Sequence, residues 1–309
     1  MSATGGAVRR YQAEHRTTYS YSGEVGSSYG RAYLTPRDTR GQRLLAHDIH
    51  IDPAPSDRSV GTDVYGNITS YFHITATHRV LTVRGESLVE VDSSTGNTAD
   101  HAVLPWEQAR PNSENGVFAV DYALDDYAFD RHPSEVAREI IAYAAESLLP
   151  GRPLGAALAE LNTRIYTDFR YKSGATTVST EVAELFVARA GVCQDFARLV
   201  IACLRSHGLA ARYVSGYLAT DQPPGRAGRL GTAATHAWAA VWVPGAGEYD
   251  RTGYWIDLDP TNDQFGDERY ITLAWGRDYT DIPPLRGVSY TDAKDSTITV
   301  SVDVRVVEV

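Results

Sequence analysis

The most constraining feature of this chain is a change of hydrophobic period along it. From residue 136 to residue 204 apolar side chains recur at helical spacing, and from residue 211 they gather into short strand-like runs. The clearest helix carries Phe196, Leu199, Val200, Cys203 and Leu204 at i, i+3, i+4, i+7 and i+8. Gly208 marks its end. Three earlier helices are expected. One opens at Ser134 with Val136, Ile140, Ile141 and Leu148 on one face, one follows Pro153 with Leu154, Leu158, Leu161 and Ile165, and one spans 182–190 and stops at Gly191. Strands are expected at 211–218, 236–243, 254–258 and 270–274. Helices followed by strands predict an α+β fold, with helices packed on an antiparallel sheet.

The first hundred residues carry a different period. Apolar and β-branched residues alternate at 11–21, 49–51, 70–74 and 80–91, with turn signals at Ser22-Gly23, Asp52-Pro53, Tyr65-Gly66-Asn67 and Arg84-Gly85. They predict an antiparallel sandwich or curled sheet. A length of 309 residues suggests about two domains. The expected division is a β-rich domain at 8–105, a connector at 106–131, a mixed core at 132–285 and a C-terminal strand at 296–309. In that strand Ile298, Val300, Val302, Val304 and Val306 alternate, as though facing inward, and the segment is expected to return to the N-terminal β domain.

Composition narrows the function classes. The net charge is −10 and no basic block stands out, which argues against nucleic acid as a partner. The longest apolar runs fall far short of the roughly 18 residues of a membrane helix, and residues 1–10 hold no apolar signal core. The two cysteines, if on one helix, lie about 15 Å apart and beyond disulfide reach. The expectation is a reduced, cytoplasmic protein with no membrane partner.

The chemistry centres on Gly191-Val192-Cys193-Gln194-Asp195-Phe196-Ala197. A glycine breaks one helix and a cysteine opens the next. Backbone N–H groups at a helix start favour the nucleophilic thiolate and stabilise an oxyanion. Cys203, on the apolar face of the same helix, reads as an ordinary buried cysteine. Asp195 in the first turn suits a structural role toward the helix dipole. A nucleophilic cysteine needs a base and a group to orient it. Among nine histidines, His236 opens the strand Ala237-Trp238-Ala239-Ala240-Val241-Trp242-Val243, behind a Gly/Pro-rich loop at 221–235. A second strand ends in Trp255-Ile256-Asp257-Leu258-Asp259-Pro260-Thr261-Asn262. Asp257 and Asp259 lie on one face of it, so spacing alone leaves both as candidates.

The ordered set G-V-C-Q-D-F-A, T-H-A-W and W-x-x-x-D-P-T-N resembles the transglutaminase-like superfamily, which is papain-like in its chemistry, over about residues 130–285. The segments Tyr33-Leu34-Thr35-Pro36-Arg37 and Asp63-Val64-Tyr65-Gly66-Asn67 resemble the β region that precedes this core in a bacterial branch. The resemblance implies a transglutaminase-like/papain-like core with Cys193 as nucleophile, His236 as general base and acid, and Asp259 as the orienting acid. It also aligns Trp238 and Trp255 with aromatics that wall the substrate site, although ordinary strand packing accounts for them equally well. The implied activity is cofactor-free and metal-free acyl transfer from a peptide or amide substrate through a thioester, with hydrolysis favoured. The alternatives are an amide-forming acyltransferase with the same triad and a non-catalytic peptide-binding module.

Overall fold

Alternating burial organises the N-terminal strands. In the computed structural model, residues 8–92, 99, 102–111, 122–129, 138–219, 235–245 and 253–307 are described. β1 (Val8–Ala32), β2 (Gln42–Asp52), β3 (Asp57–Thr62), β4 (Ile68–Ile74) and β5 (His78–Asp92) lie in one sheet in the order β2-β5-β1-β4-β3. Tyr11 and Ala13 of β1 and Leu81, Val83, Val89 and Val91 of β5 are buried, each leucine or valine side chain contributing about 1.5–3 kcal/mol. Two expected turns are absent. β1 runs straight through Ser22-Gly23, absorbing the irregularity in register shifts between Ser20 and Val25 and between Val25 and Ser27. β5 runs through Arg84-Gly85, where a Cβ on Gly85 would lie 3.3 Å from Leu34 Cβ. There glycine serves a close approach rather than a turn.

The expected connector supplies structure of its own. Trp106–Ala109 form a 3-10 turn whose buried Trp106 donates its indole N–H to the Leu149 carbonyl at 3.0 Å. α1 (Tyr122–Ala128) follows, with Leu124 and Tyr127 buried. Next come α2 (Arg138–Ala145), α3 (Leu154–Asp168), β6 (Arg170–Tyr171), α4 (Val182–Ala188), β7 (Ala190–Gly191) and α5 (Cys193–Arg205). The expected helix start at Ser134, and the loop at 221–235 apart from Thr235, lie outside the described residues. α4 ends earlier than expected, at Arg189 with φ 51°, because Ala190 and Gly191 leave the helix to pair in parallel with Arg170 and Tyr171.

β8 (Ala211–Leu218), β9 (Thr235–Val243), β10 (Tyr254–Asp259), β11 (Gln264–Phe265) and β12 (Tyr270–Gly276) make a second antiparallel sheet, ordered β11-β10-β9-β8-β12. Phe196, Leu199, Val200, Cys203 and Leu204 of α5 are fully buried in one core with Ala211, Tyr213, Ala237, Ala239 and Val241. The fold is α+β, with helices on an antiparallel sheet.

β13 (Leu285–Thr291) and β14 (Ser296–Val307) both pair antiparallel with β1 and so join the first sheet. The inward alternation expected of the last strand is corrected. Ile298, Val300 and Val306 are 59%, 49% and 44% exposed. Val302 and Val304 pack on Tyr11 and Ala13, where Tyr217, Ile271 and Leu273 of the second sheet also meet the first. An edge strand is covered only where that second layer reaches it. Among the described residues, no helix is long and apolar enough to cross a membrane.

Candidate active site

Gly191 and Asp195 together set the start of α5. The Asp195 carboxylate folds back over the chain, accepting hydrogen bonds from Val192 N at 2.8 Å and from Thr176 Oγ1 at 2.5 Å. A Cβ on Gly191 would lie 2.8 Å from Asp195 Oδ2 and from Leu185 Cδ1, so only glycine leaves room for that turn. The result is an abrupt helix start with Cys193 in its first turn, partly exposed. Unpaired N–H groups at such a start attract negative charge. Cys203 is fully buried, and burial pushes its thiol up to about 12. One cysteine is partly exposed at a helix start and the other is sealed in the core.

β9 and β10 are antiparallel neighbours, with Ala239 opposite Leu258. That pairing brings His236, near the start of β9, beside Asp259 at the end of β10. Asp259 Oδ2 accepts from His236 Nε2 at 2.7 Å, and both side chains are fully buried. The same oxygen accepts from Tyr270 Oη at 2.6 Å and Asn262 Nδ2 at 2.8 Å, while Oδ1 accepts from Thr261 N at 2.9 Å. Four donors satisfy a buried carboxylate that would otherwise be costly. Burial opposes charge on both partners, yet their mutual attraction and hydrogen bond prevail. His236 is raised to about 10, and Asp259 is held below the usual carboxylate range.

The second ring nitrogen of His236 is turned away from the acid. Nδ1 is buried and makes no bond of ordinary hydrogen-bond geometry, yet Cys193 is near enough to favour the charged ring. A ring oriented through one nitrogen can exchange a proton through the other.

Asp257 stands outside this network. Burial pushes its carboxyl up, and the opposing influences come from Arg212 and then Trp238. The Arg212 guanidinium lies between Trp275 at 3.6 Å and Trp255 at 4.0 Å. Of the two accounts of Trp238, wall of the substrate site or strand packing, its surroundings fit packing. It is fully buried, with its ring 5.1 Å from Tyr270 and 6.0 Å from His236, so it supports the imidazole from behind. Trp255 is partly buried among Tyr127, Trp242 and Arg212.

The sequence reading missed Tyr270, which reaches Asp259 from β12, and the role of Asn262. Asn262 lay inside the D-P-T-N motif and was legible there; nothing local marks Tyr270. Tyr171 and Tyr213 also lie near Cys193. Burial raises both phenols, and the nearby thiol adds to the effect.

Residues 11–90 match the bacterial transglutaminase-like N-terminal region, and residues 134–260 match the transglutaminase-like superfamily. An uncharacterized protein of Mycobacterium tuberculosis is 54% identical over 300 residues, covering 96% of this chain and 93% of the relative. An uncharacterized protein of Mycobacterium leprae is 31% identical over 280 residues, covering 90% and 92%. Among solved structures, a "putative cysteine protease" from Cytophaga hutchinsonii superposes with a TM-score of 0.73 at 18% identity, over 98% of this chain and 92% of that one. That likeness is one of fold. With both of its regions matched in order, the chain belongs to the transglutaminase-like superfamily, whose members are generally cysteine enzymes.

Proposed function

We propose that this protein is a cysteine-dependent acyl-transfer enzyme that opens an amide or peptide bond through a thioester on Cys193, with water as the acceptor. The observation that carries the reading is the buried His236–Asp259 pair, with a partly exposed cysteine at a helix start near enough to favour the charged ring. The reactive pair is thiolate and imidazolium. The sulfur attacks the carbonyl carbon, and the oxyanion forms beside the N–H groups that open α5. His236 gives its proton through Nδ1 to the departing amine, leaving a thioester. The neutral ring then takes a proton from water as that water attacks, and collapse of the adduct releases the acid and restores the thiolate–imidazolium pair. Asp259 keeps Nε2 protonated and Nδ1 available throughout.

The test is product analysis by mass spectrometry on a peptide mixture, with and without an added primary amine. Hydrolysis gives the same acid products in both mixtures. Amine-containing adducts as the main product would instead make the enzyme an amide-forming acyltransferase. Unchanged peptides bound equally by wild type and Cys193→Ala would make it a binding module.

A further inference from the structure

β12 is the outer strand of the second sheet. One side pairs with β8, and the other faces the N-terminal sheet, where two carboxamide side chains take up its backbone groups. Gln42 Oε1 accepts from Thr272 N at 2.8 Å, and Gln42 Nε2 donates to Thr272 O at 2.8 Å. Three residues along, Asn67 repeats the pattern on Trp275, accepting from N at 2.9 Å and donating to O at 2.7 Å. Each amide does what a residue on a neighbouring strand would do, blunting an edge that would otherwise be open. Both are buried, at 6% and 0% exposure.

The clamps are themselves held. Gln42 Nε2 also donates to the Arg37 carbonyl at 2.7 Å. Asn67 Oδ1 accepts from Arg37 Nη1 at 2.6 Å, and Asn67 Nδ2 donates to Asp63 Oδ2 at 2.8 Å. The Arg37 guanidinium lies 3.2 Å from the centre of the Trp275 ring. Arg37 belongs to the Y-L-T-P-R segment, and Asp63 and Asn67 to the D-V-Y-G-N segment, neither of which the site described above used. Two residues before Thr272, the same strand carries Tyr270 to Asp259.

We propose that Gln42 and Asn67 are positioning residues for the reactive site, fixing β12 so that the Tyr270 hydroxyl meets Asp259 and the carboxylate stays aligned on His236. The N-terminal β region thereby takes part in setting the chemistry of the core. A bond of 2.6 Å tolerates little sliding of the strand that carries its donor. The inference rests on reading Cys193, His236 and Asp259 as the reactive set.

The experiment measures iodoacetamide modification of Cys193 in the full chain from pH 5 to 9, resolved by peptide mass from Cys203. It compares wild type, Asp259→Asn, Tyr270→Phe, Gln42→Met, Asn67→Ala and the double variant Gln42→Met/Tyr270→Phe. Gln42→Met keeps the volume and loses the bonds; Asn67→Ser replaces Asn67→Ala if that variant does not fold by circular dichroism. The expected result is that Gln42→Met and Asn67→Ala change the pH profile as Tyr270→Phe does, with the rate at pH 7 falling about tenfold. Gln42→Met should add little to Tyr270→Phe, since both act through one hydroxyl. Wild-type profiles in both clamp variants, beside a changed profile in Asp259→Asn, would overturn the inference alone. Effects of Gln42→Met and Tyr270→Phe that multiply in full would overturn it too, showing general loosening. An unchanged profile in Asp259→Asn would overturn the reading of the site, and the inference with it.

Discussion

Two aspartates two residues apart meet different fates because of what surrounds each carboxylate. Asp259 receives His236, Tyr270, Asn262 and a backbone N–H, whereas Asp257 has Arg212 and Trp238 as neighbours. Asp259→Asn should therefore keep the fold but present the wrong imidazole tautomer, slowing acyl-enzyme formation by about two to four orders of magnitude. Asp257→Asn should lose far less; single-turnover acylation of both variants decides. The pair also has a pH signature in stability. The raised His236 contributes fully below its ordinary 6.5, and that contribution fades as pH rises toward about 10. The lowered Asp259 contributes above its ordinary 3.8 and fades as pH falls. Denaturation midpoints should thus separate wild type from Asp259→Asn most between pH 3.8 and 6.5, with the gap narrowing above. A gap that widens steadily to pH 9 would contradict the charged pair.

The turn from β7 into α5 joins local sequence to chemistry. Gly191 admits the Asp195 carboxylate, and Asp195 caps the helix that presents Cys193. Gly191→Ala forces a methyl group into that carboxylate, with an expected cost of about 1–3 kcal/mol. Cys193 alkylation should slow with it, while Cys203 stays unreactive; a variant with wild-type stability and rate would show that the turn does not need glycine. This element was legible in the sequence because a helix start, its capping acid and its thiol are all local. Asp259 was only half legible. Parity allowed either acid, and the resemblance chose the one that the structure places on His236. Tyr270 was not legible, since a contact across the sheet between β12 and β10 leaves no local pattern. Trp238 was left open between wall and packing because a Trp in an apolar strand looks the same whether it faces a cleft or a core. Gly23 and Gly85 were read as turns because glycine also marks bulges and close approaches inside strands.

At the scale of the whole molecule, the two sheets share a core, with Tyr11, Ala13, Val89 and Val91 of one packed on Tyr217, Ile271 and Leu273 of the other. The chain returns to the first sheet at its end, where Val302 and Val304 of β14 cover part of that core. Truncation after Asp295 should uncover it and raise binding of a hydrophobic dye, with a lower unfolding temperature; unchanged values would mean that β14 is dispensable. The central claim remains the reaction at one sulfur, fed by a base on β9 and an acid on β10. The most direct measurement is intact-mass trapping of the protein with a peptide mixture at short times, followed by peptide mapping of the added mass. The predicted result is an acyl adduct on Cys193, absent from Cys193→Ala and sharply reduced in His236→Ala. Turnover with no adduct at Cys193, or an adduct formed equally well without His236, would contradict the account.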